Sequence, residues 1–156
     1  MKALVLFDTM TGNTEKIANA LARGLKQHAA TDCLNIDKVT DPHLLESYDA
    51  LLIGAPTHFM TAPRHMKQFL KTLREASLAG KQGFAFDTRL ESRFSGSAGN
   101  YIEKELKKAG LKIIRHEGSA LIGNKSNQLE VGMEELFEGI GDEIGRMLVA
   151  TTAAPA

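Results

Sequence analysis

Near the N-terminus, an apolar run passes into a helical pattern through a stretch dense in hydrogen-bond donors, Thr9-Met10-Thr11-Gly12-Asn13-Thr14. Thr9, Thr11, Asn13 and Thr14 carry short donating side chains, and Gly12 permits backbone geometries that other residues avoid. A helix start exposes unpaired N–H groups and partial positive charge, so a turn of this composition is suited to an anion, a phosphate in particular. No Lys or Arg stands between Phe7 and Glu15, so hydroxyls and backbone N–H groups, rather than a cation, would hold it. The same composition also reads as a plain N-cap, with Thr11 or Asn13 satisfying the first helical N–H groups.

The elements around this turn are legible from periodicity. Ala3 to Phe7 is a continuous apolar run, as in a strand buried on both faces of a parallel sheet. Ile17, Leu21, Leu25 and His28, with Ala18 and Ala22 beside them, give a helix one core-facing stripe. Asp32 to Ile36 alternates like an edge strand, with Cys33 a small buried or half-buried side chain. Asp41-Pro42 opens a short helix or turn. Ala50 to Ile53 is a second central strand, ending in Gly54-Ala55-Pro56-Thr57-His58-Phe59, where Phe59 either reaches the site or packs in the core. Pro63 to Leu73 reads as a helix with Met66, Phe69, Leu70 and Leu73 inside and Arg64, His65, Lys67, Lys71 and Arg74 outside. Gly83 to Asp87 is a fourth strand, followed by a loop from Asp87 to Ser97, in which Asp87 and Arg89 are candidates to pair with each other. A helix with Ala98, Ile102, Leu106 and Ala109 buried comes next. Leu111 to Ile114 forms a fifth strand that Gly118 to Ile122 continues or restarts, and a last helix buries Met133, Phe137, Ile140, Ile144, Met147 and Leu148. This alternation implies one doubly wound α/β domain over residues 1–150, with 151–156 a frayed tail.

Composition narrows the function classes. The chain has 156 residues, 19 Lys+Arg against 19 Asp+Glu, and 43% hydrophobic residues. A balanced charge points to neither nucleic acid nor an anionic membrane. Cys33 is the only cysteine, which excludes an internal disulfide and any cysteine-held metal cluster. Met1-Lys2 runs directly into the first strand and no apolar run reaches membrane-spanning length, so a cytoplasmic protein is expected. Gly118 to Ser126 nearly matches a nucleotide-triphosphate P-loop, but Asn124 separates Gly123 from Lys125.

Thr9 to Thr14 resembles the FMN phosphate loop of the flavodoxins, whose usual form is Ser/Thr-x-Thr-Gly-x-Thr, and it lies in the matching first strand-helix connection. The resemblance extends over nearly the whole chain and implies a short-chain form, with a five-stranded parallel sheet in the order 2-1-3-4-5 and helices on both faces. It implies non-covalent FMN, with the phosphate on Thr9, Met10, Thr11, Gly12, Asn13 and Thr14. The ring would then be flanked by Pro56, Thr57, His58 and Phe59 on one loop and by Asp87, Thr88, Arg89 and Phe94 on another. The chain departs from the common form in lacking Trp and the usual Gly-Asp followed by Tyr, which leaves Phe94 or Phe59 to stack on the ring. Its zero net charge also departs from the strongly acidic flavodoxins.

The resemblance implies a carrier that shuttles electrons between redox protein partners, as a monomer or weak dimer, with no residue acting as general acid or base. Two alternatives stay open. One is an FMN-dependent NAD(P)H:quinone or flavin reductase, in which His58, Arg89 or Arg93 near the ring would favour its reduced anion. The other is a flavin-free scaffold that binds another protein.

Overall fold

The computed structural model describes residues 1–91 and 96–153. Strand β1 (Lys2–Phe7) is buried from Ala3 onward, because it has a parallel neighbour on each side and helices on both faces. Its neighbours are β2 (Ala30–Asn35), which forms the edge, and β3 (Ala50–Pro56); beyond β3 lies β4 (Gln82–Leu90). The far edge of β4 holds two short strands in succession. β5 (Lys112–Ile113) pairs with Gln82 and Gly83, and β6 (Gly118–Ile122) pairs with Phe86 to Leu90. The fifth strand therefore stops and restarts. The order is 2-1-3-4-5 with every pairing parallel, as the resemblance implied.

Alternate strand residues feed two cores. Val5, Leu52, Phe84 and Phe86 pack under α1 (Asn13–Leu25) and α4 (Met133–Ala153), while Leu4, Leu6, Leu51, Ile53 and Ala85 pack under α2 (Arg64–Thr72) and α3 (Ala98–Lys108). α1 and α4 approach closely through Gly24 and Gly141, where an added Cβ would collide with the opposite backbone. The connection from β2 to β3 is made of two 3₁₀ turns, Ile36–Lys38 and Pro42–Ser47, the second capped by Asp41.

Three expectations are corrected. His28 lies beyond the end of α1, half-buried, with its Nε2 at 2.6 Å from Asp142 Oδ1 on α4, so it ties two helices together rather than extending the stripe. The strand expected to end at Asp87 runs on to Leu90, because pairing with β3 on one side and β6 on the other overrides the polar pattern of Asp87-Thr88-Arg89. The last helix reaches Ala153, so residues 151–153 are helical rather than part of a tail. No helix among the described residues is long and apolar enough to cross a membrane.

Candidate functional site

The carboxyl ends of β1, β3 and β4 lie along one edge of the sheet, where open α/β sheets bind their ligands, the flavodoxin type among them. The loop after β1 is built by its own side chains. Asp8 N–H donates to Gly54 O on β3 at 3.0 Å. Thr9 Oγ1 accepts from Gly12 N–H at 3.0 Å, and Gly12 takes a left-handed φ of 91° as the residue before α1. Asn13 and Thr14 are buried: Asn13 Nδ2 donates to Asn127 O at 3.1 Å, and the Thr14 and Thr88 hydroxyls share a hydrogen bond of 3.0 Å. Burial holds the Asp8 carboxyl above its ordinary pKa, opposed by the nearby His65.

These bonds do not match the plain N-cap reading of the loop. Neither Thr11 nor Asn13 caps α1, and Gly12 has no side chain with which to do so. Lys16 N–H donates to Gly12 O at 3.2 Å, but the N–H groups of Asn13, Thr14 and Glu15 find no acceptor among the described residues. They face the open end of the helix with the positive end of its dipole behind them, which fits a phosphate. Of the hydroxyls in the loop, Thr9 and Thr14 are committed to the fold, whereas Thr11 is exposed.

Beside this loop lies a cavity of about 250 Å³. Of the residues singled out from sequence, Met10, Thr11, Pro56, Thr57, His58, Thr88 and Arg89 line it. Leu90, Ile122 and Asn127 complete the lining and were missed. Asn127, with φ 56°, is the one a sequence could have signalled, since Asn tolerates left-handed backbone and this one follows a strand at the ligand-bearing edge. The P-loop-like stretch forms a turn, in which Asn127 N–H donates to Gly123 O at 3.0 Å, and no helix starts there to meet a phosphate.

The remaining predicted residues sit elsewhere. Asp87 is fully buried and does not line the cavity; its Oδ2 accepts from Ser97 Oγ at 2.7 Å and from Gly99 N–H at 2.9 Å, capping α3. Phe59 is 87% exposed, so it is not a core residue. It forms the tip of a tight reversal with Met60: His58 and Thr61 exchange backbone bonds of 2.7 and 3.1 Å, and φ is 47° at Phe59 and 69° at Met60. Left-handed backbone at two bulky residues stores strain of about 1–3 kcal/mol each. Phe94 and Arg93 lie outside the described residues.

An open parallel sheet in this order, with helices on both faces, defines a doubly wound α/β protein whose first helix has an uncapped start beside a cavity. The flavodoxin domain model matches residues 4–120, and the chain belongs to that family. A flavodoxin of Clostridium saccharobutylicum is 31% identical over 90 residues, covering 56% of each chain. An NAD(P)H dehydrogenase (quinone) of Archaeoglobus fulgidus is 30% identical over 114 residues, covering 54% of this chain and 60% of its own. The alignments thus span little more than half the length of these curated relatives. The crystal structure of oxidised flavodoxin 1 from Bacillus cereus superposes with a TM-score of 0.80 at 21% identity, over 94% of this chain and 98% of that one, and at that identity shows the fold alone.

Proposed function

We propose that this chain binds FMN at the carboxyl edge of its sheet and passes electrons between redox proteins. The observation that carries this reading is the start of α1, whose first N–H groups are left without a cap inside a loop that matches the flavodoxin phosphate pattern at every specified position. FMN, when bound, supplies the electron-accepting ring. The backbone N–H groups of Asn13, Thr14 and Glu15 and the hydroxyl of Thr11 would hold the phosphate. Thr9, Asn13 and Thr14 would act through their side chains only by shaping the loop. Pro56, Thr57, His58, Thr88 and Arg89 would border the ring, at the carboxyl edge of the sheet where a partner could approach it.

Titration with FMN and with riboflavin, followed by fluorescence quenching, tests this directly. FMN should bind far more tightly than riboflavin, since only FMN carries the phosphate. Equal affinities would remove α1 from the site, and no binding of either would leave the flavin-free scaffold. The similarity to an NAD(P)H dehydrogenase (quinone) sustains the reductase alternative. Turnover of NAD(P)H with a quinone by the FMN-loaded protein would favour it over the carrier.

A further inference from the structure

The 19 cationic and 19 acidic side chains cancel over the chain but not over its surface. α2 and the 3₁₀ turn after it (Leu73–Glu75) carry Arg64, Lys67, Lys71 and Arg74 against Glu75 alone. α4, across the sheet, carries Glu134, Glu135, Glu138, Asp142 and Glu143 against Arg146. The sheet separates them, because α2 packs on one core and α4 on the other. Among the described residues, Arg64, Lys71 and Arg74 form no ion pair, and the Lys67 ammonium rests over the Tyr101 ring at 4.7 Å, which leaves its charge uncancelled. His65 alone on this helix has an acidic partner, Asp37 at 2.6 Å.

The basic helix starts just after the strained tip. Phe59 and Met60, 87% and 63% exposed, stand next to the candidate flavin cavity, and Arg64 follows within a few residues. An apolar projection flanked by unpaired charge has the anatomy of a protein interface, with an apolar centre and a polar rim. A nine-residue helix is about 13 Å long, so its exposed row fits within the roughly 800 Å² that one partner of a standard interface buries.

We propose that the Phe59–Met60 tip and the exposed row of α2 together dock an acidic redox protein, one whose docking face pairs carboxylates with an apolar centre. The proposal rests on the flavin reading in one respect: the tip borders the cavity from which electrons would leave. A flat bilayer fits less well. α2 joins two parallel strands and so leads away from the tip, which would leave Lys71 and Arg74 on the order of a Debye length, about 8–10 Å, from a membrane that the tip touches. A convex protein face reaches both.

Native, basic cytochrome c and its fully succinylated derivative share a haem and differ in the sign of their charge, so they isolate this field. At low salt, the FMN-loaded, reduced protein should reduce the succinylated form about tenfold faster than the native form, and the difference should collapse at about 0.5 M salt. The triple variant Arg64→Glu/Lys71→Glu/Arg74→Glu, all at exposed positions, should reverse the preference while its melting temperature and FMN affinity stay unchanged. Faster reduction of native cytochrome c, or a triple variant with unaltered rates, would overturn the proposal. Anisotropy of dye-labelled succinylated cytochrome c with the flavin-free chain separates the two readings. Salt-sensitive binding by a chain that takes no FMN would sink the flavin assignment alone, and FMN binding without any charge preference would sink the docking surface alone. Tighter binding to phosphatidylserine vesicles or to a short DNA duplex would reassign the patch and overturn it as well.

Discussion

Two helices start at the same edge of the sheet and are finished differently. α3 is closed by the protein itself: Ala98 N–H donates to Thr57 Oγ1 at 3.0 Å, Gly99 N–H to Asp87 Oδ2 at 2.9 Å, and Asn100 N–H to Ser97 Oγ at 3.0 Å. α1 is preceded by a glycine and receives no side-chain cap. A buried polar end is ordinarily satisfied, so the first three N–H groups of α3 are spent on structure, whereas those of α1 remain available to a ligand. The dipole is the same in both helices. What differs is whether the chain supplies the negative partner, and the proposed phosphate site rests on that difference.

The most severe way to break the comparison is to give α1 the charge that α3 already has. Gly12→Asp puts a carboxylate where the phosphate would sit, in space where a Cβ meets nothing within 4 Å. FMN affinity should fall about a hundredfold or more, roughly 3 kcal/mol, through repulsion and occupation of the N–H groups. The left-handed φ of 91° adds about 1 kcal/mol of lost stability, which Gly12→Ala shares without the charge. If the two variants bound FMN alike, the effect would be backbone strain and α1 would not be the anion site.

The converse change strips α3. Asp87→Ala removes the bonds to Ser97 and Gly99 N–H but also a buried Oδ1 that has no hydrogen-bond partner among the described residues, so the loss is partly offset. A net cost of about 2 kcal/mol, or some 4–8 °C in melting temperature, is expected for a chain of this size. The preference for FMN over riboflavin should survive, because Asp87 caps α3 and not the helix proposed to hold the phosphate. A collapsed preference would return Asp87 to the cofactor site.

How far the site could be read from sequence is clearest inside the phosphate loop. The strand, the turn and the helix were legible because apolar runs and a 3.6-residue stripe are local properties of the chain. The division of labour among the loop side chains was not. Thr14 bonds Thr88 across 74 residues, and Asn13 bonds Asn127 across 114, so only the assembled sheet shows that these donors are engaged. For the same reason Asp87, read as the junction of strand and ring-flanking loop, proved to lie inside a longer strand and to face α3. Thr11→Ala against Thr14→Val sharpens this. Thr11→Ala should weaken FMN binding roughly tenfold to twentyfold at unchanged melting temperature, about 1.5 kcal/mol, the lower end of the worth of one hydrogen bond to a charged group. Thr14→Val should instead cost about 1 kcal/mol of stability in the flavin-free chain, since it orphans the buried Thr88 hydroxyl. Exchanged phenotypes would mean that Thr14, not Thr11, turns its hydroxyl to the ligand.

The smallest effect concerns a second carboxylate at the start of α3. A Cβ added at Gly99 would lie 3.2 Å from both Asp87 Oδ2 and Glu117 Oε2, so the two acids converge on the same helix end. Burial, and then the neighbouring Asp87, raise the Glu117 pKa above its ordinary value of 4.5. A carboxyl with a raised folded pKa holds its proton more tightly in the folded chain. Its contribution to stability is therefore full below the unfolded pKa and is lost as the pH rises through the folded one. Glu117→Gln, a permanent neutral mimic, should raise stability at pH 7 by about half a kcal/mol, a modest figure because Glu117 is partly solvated. The gain should vanish near pH 4, where the wild-type acid is largely protonated in both states. Melting curves of the two proteins at pH 4 and pH 7 would check it. A gain of equal size at both values would mean that packing rather than charge is responsible, and that the acidic crowding at α3 is relieved by Gly99 N–H and the helix dipole without help from a proton.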